Sequence, residues 1–270
     1  MSDERGRADL HIHSLASDGV SGVADILQRA EATGLDVIAI TDHERIDAGV
    51  AARLMAQARG LRLQVIPGEE ISTRGGHLLG LFLTERIPPW RSLKWTVAKV
   101  HEQGGLAIVA HPLVPYPLCA SGRSVHRLLA EPDPMYHPDG VEAFNPTTAG
   151  SRWGRRVPAF VEELGLAALG SSDAHRADDV GRAVTTFPGH TPEDLRRAIL
   201  ERSTGWQGEA YPFRTQLGTF RRQLRKNAAA VRDEVRGKVL RDGTGRDLGY
   251  PGGRRRPARL DESGLLGNER

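Results

Sequence analysis

Through the first two hundred or so residues, short aliphatic runs alternate with helix-patterned segments, and most of the runs end on a histidine or a carboxylate. Residues 8–13, 36–41, 63–67, 77–83, 106–110, 140–144 and 166–170 read as strands. Residues 21–33, 47–58, 93–103, 155–164 and 192–203 read as helices. In the first of these, Val23, Ile26, Leu27 and Ala30 fall at helical spacing, and Gly34 stops the pattern. In the last, Thr191 is placed to cap, Pro192 takes the first position, and Glu193 and Asp194 occupy the first turn. Strands alternating with helices indicate an α/β fold, and this many repeats predict a barrel-like parallel sheet. Residues 112–138 are rich in proline and lack periodicity; they read as a long loop with a short helix near 125–130. A loop of that length in a compact domain is commonly a functional lid.

The 270 residues suffice for one large domain or two small ones, and 39% hydrophobic with 26% charged residues predicts a folded, soluble protein. Cys119 is the only cysteine, which excludes an intrachain disulfide and a thiolate metal cluster. The longest apolar runs, 35–40 and 78–83, are far too short to span a bilayer, and residues 1–9 carry no secretory pattern. A cytoplasmic location is expected.

The net charge of +3 hides an asymmetry. Residues 214–270 carry 15 Lys and Arg against 7 Asp and Glu, a net +8, which leaves −5 on residues 1–213. Leu217, Phe220, Leu224, Ala228, Val231, Val235 and Val239 step by three or four among arginines, so 214–240 reads as a basic amphipathic helix. Residues 241–270 have no periodicity and are expected to form a disordered basic tail. The body, 1–213, holds all ten histidines.

Those histidines recur where strands end. His11 and His13 are alternate residues of one strand, so their imidazoles face one site. Asp18 follows in the turn; the next strand ends Thr41-Asp42-His43, and the third ends Pro67-Gly68-Glu69-Glu70. His77 opens a strand, Ala110-His111-Pro112 closes another, and Ser172-Asp173-Ala174-His175 repeats the alternate-residue geometry with one carboxylate and one imidazole. Each motif alone is weak, and a single histidine is more often core or surface than ligand. Six sites at one topological position are another matter, because in barrel enzymes the carboxyl ends of strands converge on one face. By contrast His101, His126, His137 and His190 fall on helices or loops. So many imidazoles and carboxylates exceed the needs of one metal; two or three divalent ions are expected, with Mn, Fe or Zn suited to donors without thiolate.

In this order, Asp9-Leu10-His11-Ile12-His13, Ser17-Asp18-Gly19, Ile40-Thr41-Asp42-His43, Pro67-Gly68-Glu69-Glu70-Ile71-Ser72, Ala110-His111-Pro112 and Ser172-Asp173-Ala174-His175 resemble the motifs of the PHP family (polymerase and histidinol phosphatase). The resemblance covers about residues 8–185. It implies a distorted seven-stranded β/α barrel with a trinuclear metal site, most similar to the stand-alone phosphoesterases such as nucleoside 3′,5′-bisphosphate phosphatases. Carried over by motif, His11, His13 and Asp173 would hold the first metal. Glu70 would bridge it to a second, completed by His77 and His111. Asp18, His43 and His175 would hold the third. Glu69 falls on a variable position of the family, and Asp42 is expected to orient ligands from behind.

Such a site lowers the pKa of bound water to about 7, so no catalytic side chain beyond a metal-bound hydroxide is needed. Arg123, Arg176 and Arg152 are candidates to clamp phosphate, and Asn145 and His137 to face the mouth. The leading expectation is a phosphoesterase acting on a small phosphorylated metabolite, a nucleotide or a short oligonucleotide end. Histidinol-phosphate hydrolysis is one alternative. Another is a non-catalytic metal-binding module whose basic tail holds RNA or an anionic membrane, or adds weak nucleic-acid contact. The acidic body argues against broad engagement of a duplex, which needs several cationic phosphate contacts. Oligomeric state has no signature in the sequence.

Overall fold

The structure, a computed structural model, describes residues 5–116 and 118–211. The amphipathic helix expected over 214–240 and the tail over 241–270 lie outside the described residues.

The strands are β1 (Gly6–Asp9), β2 (Val37–Ile40), β3 (Gln64–Thr73), β4 (Gly76–Leu81), β5 (Leu106–Val109), β6 (Gly140–Phe144), β7 (Ala167–Gly170), β8 (Ala183–Phe187) and β9 (Gly205–Gly208). The helices are α1 (Val23–Ala32), α2 (Asp47–Ala58), α3 (Leu93–Glu102), α4 (Gly122–Leu129), α5 (Val157–Leu164) and α6 (Pro192–Leu200). The strands form one sheet in the order β7-β6-β5-β4-β3-β2-β1-β8-β9.

The expected seven-stranded parallel barrel is corrected here in two respects. Among the described residues the sheet has nine strands, and it is mixed. β1–β2, β2–β3, β5–β6 and β6–β7 pair in parallel, whereas β4 runs antiparallel to both of its neighbours and β8 antiparallel to both of its own. The reason for β4 is local. Only Arg74 and Gly75 separate it from β3, and a two-residue link closes a hairpin but cannot make a parallel crossover. Gly76 permits that hairpin: its φ is +127°, and an added Cβ would lie 2.5 Å from the Ala120 backbone nitrogen.

At one edge of the sheet β7 approaches β8 and the other edge strand, β9. The Gly170 N–H donates to Thr185 Oγ1 (3.2 Å), and that hydroxyl donates back to the Gly170 carbonyl (2.9 Å). Gly170 is required there, since a Cβ would meet the Val184 carbonyl at 2.8 Å. The barrel is therefore nearly closed, by a hydroxyl bridge rather than a full ladder.

Its interior is filled by Ala8, Leu10, Val37, Ala39, Ile66, Leu79, Leu81 and Ile108, with Phe187 and the buried α6 face of Leu195, Ala198 and Ile199 in the same cluster. α6 begins as its sequence predicts: Thr191 Oγ1 accepts from the Asp194 N–H, and Asp194 accepts from the Thr191 N–H in return. α1 and α2 pack on Ile38, Ile40 and Val65, the other face of β2 and β3. α3, α4 and α5 cover the β4–β6 region. The segment 112–138 contains α4 and a 3-10 turn, Pro134–Tyr136, so it is more ordered than its composition suggests.

Candidate metal centre

The strand order converts period-two spacing into a cluster. Beyond the end of β1 the chain stays extended, and Ile12 bridges Ala174 in parallel. The His13 N–H donates to the Ala174 carbonyl (2.8 Å), and the Ala174 N–H to the His11 carbonyl (3.2 Å). Ile12 and Ala174 thus point into the apolar layer under α1 and α2. Their neighbours His11, His13, Asp173 and His175 are turned to the opposite side. A second bridge sets His43 beside Glu70. Alternation on β3 separates the two glutamates: Glu70 enters the cluster, while Glu69 turns away and accepts from the Ile87 N–H (2.8 Å). Burial pushes the Glu69 carboxyl up to about 8, with Glu44 adding and Ile87 opposing.

Glu70 joins the two halves of the site. Its Oε1 lies 2.7 Å from His77 Nδ1 and 3.0 Å from His111 Nε2. Its Oε2 lies 3.2–3.3 Å from His11 Nε2, His13 Nε2 and His43 Nδ1. Asp173 Oδ1 faces His11, His13 and His175 at 3.4–3.7 Å. Asp18 lies 3.3 Å from His13 Nδ1 and 3.1 Å from His175 Nε2, with His43 Nε2 at 3.7 Å. All nine side chains read from the sequence as ligands are brought together here. They form five overlapping groups, each with ligand atoms within 4.8 Å of one another: His11, His13 and Glu70; His11, His111 and Asp173; His13, Asp18 and His43; His13, Asp173 and His175; His43, Glu70 and His77. The groups share members rather than falling into three separate triads, because His13 and Glu70 sit between neighbours.

The electrostatics is that of buried donors awaiting cations. Burial disfavours charge on His11, yet Glu70, Glu142 and Asp173 outweigh it and hold its pKa well above the ordinary value. His13 behaves alike, burial being overcome by Asp18, Asp173 and Glu70. His43 goes the other way: burial, helped by His13 and His77 against Glu70 and Asp18, pushes it down to about 4. Glu70, Asp18 and Asp173 are held well below the usual carboxylate range; burial opposes this, but the surrounding imidazoles win. Carboxylates this buried need positive charge close by. Four buried ring nitrogens, His11 Nε2, both of His13 and His77 Nδ1, have no hydrogen-bond partner. Imidazole nitrogens beside carboxylate oxygens, without thiolate, fit divalent metal ions, which would take the place of the protons that the carboxylates now favour.

Six further residues are site candidates in the sequence. Asn145 is buried at the cluster, its Nδ2 3.2 Å from Glu142 and 3.3 Å from Asp173. Arg123 is exposed on α4. Arg176 is exposed and pairs with Asp178 at 3.0 Å. The His137 ring is taken up by the Glu131 carbonyl (2.8 Å), so its bond is to the loop itself. Arg152 stacks on Trp153, 4.2 Å from the ring centroid. Asp42 holds a loop: its carboxylate accepts from the Ser14 N–H (2.7 Å) and from the Ser14 and Ser17 hydroxyls. It thereby shapes the turn between His13 and Asp18.

Glu142 is the member that sequence reasoning did not assign. On β6, fully buried, it sits 2.9 Å from His11 Nδ1 and accepts from the His111 N–H (2.7 Å). A lone carboxylate inside the apolar run Gly140–Phe144 was the available signal. Cys119 Sγ lies 3.4 Å from His111 Nδ1, and Ser72 Oγ 3.4 Å from His77 Nε2. Backbone strain gathers here as well, with His111 at φ +26° and Asp173 at φ +51°.

Comparison with known proteins adds the following. A model of the PHP domain matches residues 9–129, and one described as PHP-associated matches residues 152–204. An uncharacterized protein of Methanocaldococcus jannaschii is 39% identical over 151 residues, 52% of this chain and 81% of the relative. A 5′-3′ exoribonuclease of Haemophilus influenzae is 36% identical over 104 residues; the match spans 37% of each chain. Among solved structures, a two-domain protein from Bacteroides vulgatus, described as containing a predicted PHP-like metal-dependent phosphoesterase, superposes with a TM-score of 0.62 at 20% identity. That match covers 76% of this chain and 65% of the other, and speaks for the fold alone.

Proposed function

Because the chain belongs to the PHP family, we propose that it is a metal-dependent phosphoesterase that hydrolyses a phosphate ester of a small metabolite, a nucleotide or a short oligonucleotide end. His11, His13, Asp18, His43, Glu70, His77, His111, Asp173 and His175 would hold two or three divalent ions, Mn, Fe or Zn. The observation that carries this reading is Glu70: one buried carboxylate with five imidazole nitrogens within 3.3 Å, divided between its two oxygens.

Bound divalent ions supply Lewis acidity toward a phosphoryl oxygen and activation of water at neutral pH. The protein's own part is preorganisation. Glu142 accepts from one side of His11 and leaves the other nitrogen facing Glu70 and Asp173. Asn145 and Thr147 steady Asp173 at 3.3 Å each. The His175 Nδ1 contact with the Asp173 carbonyl (2.9 Å) leaves Nε2 for Asp18. Phosphoryl transfer needs mostly this kind of positioning and charge stabilisation.

A nucleotide-like substrate is favoured by the 5′-3′ exoribonuclease among the relatives, which this chain matches over little more than a third of its length. Among the described residues no helix is long and apolar enough to cross a membrane. A cytoplasmic site of action belongs to the same reading.

The test is metal analysis followed by a substrate screen. The Mn-loaded protein is expected to hydrolyse a generic phosphomonoester and, faster, one class among nucleotides, nucleoside bisphosphates, short oligonucleotides and histidinol phosphate. His11→Ala is expected to lose bound metal and activity together. Loaded protein inactive on mono- and diesters, with full metal content in His11→Ala, would sink the proposal.

A further inference from the structure

We propose that the opposite end of the barrel carries a second ligand site, a cationic cleft that takes a phosphate group. It is independent of the hydrolytic reading. Arg5, Arg7, Asp36, Arg62, Gln64 and His190 line a cleft of about 630 Å³ there, a volume typical of small-molecule sites. Asp36 leads into β2, Gln64 opens β3, and Arg5 and Arg7 stand at the start of β1. These three adjacent strands deliver His11, His43 and Glu70 at their far ends. From Arg7 to His11 alone, four extended residues cover about 13 Å.

Two of the three arginines, Arg5 and Arg7, are held by neutral acceptors rather than by an ion pair among the described residues. Arg5 Nη2 donates to the carbonyls of Thr186 (3.2 Å) and Ser203 (2.7 Å). Arg7 Nη1 donates to the Thr33 carbonyl (3.0 Å). These neutral acceptors hold both guanidinium groups from three separate segments, and among the described residues no carboxylate lies within ion-pair distance of either. Each guanidinium carries five N–H donors, and among the described residues Arg5 makes two such bonds and Arg7 one.

Asp36 is the one carboxylate among the described residues within ion-pair distance of this group. It holds Arg62 Nη1 at 3.0 Å and His190 Nδ1 at 3.2 Å, and it accepts from the Arg7 N–H at 2.8 Å. Its own needs are met by these contacts without Arg5 or the Arg7 guanidinium. Glu31, close by, accepts from the backbone N–H groups of Arg62 and Leu63. Among the described residues positive charge is therefore in excess around the nearly buried Asp36 carboxylate, and the rim is open: Arg5 is exposed, and the Arg62 and His190 side chains are 57% and 52% exposed. Arginine forks held in place match the oxygens of a phosphate, and their prior fixation reduces the entropy lost on binding.

Calorimetry on the full chain, stripped of metal by a chelator, tests this with inorganic phosphate as the probe. Saturable binding is expected, weakened by at least about tenfold in Arg5→Gln/Arg62→Gln. Hydrolysis by the metal-loaded double variant is expected to be unchanged. Titration with AMP distinguishes the sources of the phosphate: affinity equal to that of phosphate means the free ion, and tighter binding means a nucleotide. Wild-type protein that binds neither at millimolar concentration overturns the proposal, as does a double variant that binds like the wild type. If the double variant does not fold, amide shifts in the wild type decide. Phosphate must move the signals of residues 5–7 and 62–64; movement confined to the metal centre refutes the cleft.

Discussion

Glu142 Oε1 lies 2.9 Å from His11 Nδ1, and both side chains are completely buried. A carboxylate there accepts the Nδ1–H and orients the ring so that Nε2 faces Glu70 and Asp173, where it would hold a metal ion. Glu142→Gln is expected to lower metal affinity by about 10- to 100-fold with the fold intact. Competition against a chromophoric chelator reads this directly. Unaltered affinity would mean that the pair is merely structural.

Asp42 makes a different prediction, about the loop rather than the ring nitrogens. Removing its carboxylate in Asp42→Ala strips acceptors from a buried N–H and two hydroxyls. Buried donors left unsatisfied cost about 1–3 kcal/mol apiece, so a loss of about 2–4 kcal/mol in urea unfolding is expected. Asp42→Asn keeps one oxygen and should lose roughly half as much. Equal losses in the two variants would contradict the hydrogen-bond account.

The link between α3 and the proline-rich segment should respond to pH. His101 Nε2 lies 2.9 Å from Asp139, and Nδ1 lies 2.8 Å from the Met135 carbonyl. The Asp139 hydrogen bond raises the His101 pKa; partial burial opposes it, and the Asp139 charge and Met135 carbonyl add to the rise. Only the imidazolium donates at both nitrogens. A raised folded pKa binds more protons in the native state than in the unfolded one. The stabilisation is thus full below the unfolded value of about 6.5 and fades as pH rises through the raised folded value. His101→Asn should erase this part of the pH dependence. Parallel wild-type and variant stability curves from pH 5 to 9 would count against it.

Gly76→Ala tests the hairpin that delivers His77. The new Cβ would approach Ala120 backbone atoms at 2.5–2.6 Å with φ at +127°. A loss of about 2–4 kcal/mol and a Tm lower by several degrees are expected. Gly34→Ala is the contrast: φ is +71°, but nothing lies within 4 Å of its Cβ. It should cost only about 1–2 kcal/mol, the left-handed penalty. Similar losses at both positions would show that crowding against Ala120 is not the cause.

Much of the site was legible because its signals are local. His-x-His and Asp-x-His place pairs on one side of an extended chain whatever the rest does. Thr191 and Pro192 announce α6 for the same reason. Glu142 was harder, since its partner His11 is 131 residues away and a single carboxylate in a strand has many uses. His137 shows the converse: a loop histidine with no local pattern could only be assigned by seeing Glu131 beneath it.

The sequence by itself determined that this is an α/β chain with a histidine-rich face at its strand ends, because periodicity and strand-end chemistry act over a few residues. Tertiary structure alone decided that the sheet of the described residues has nine strands, that β4 and β8 run antiparallel to their neighbours, and that Glu142 lies against His11. It also decided that three arginines gather around Asp36 at the far end. These facts depend on pairings between distant segments, where hydrogen-bond register and steric closure, rather than the pattern within any one segment, select the arrangement.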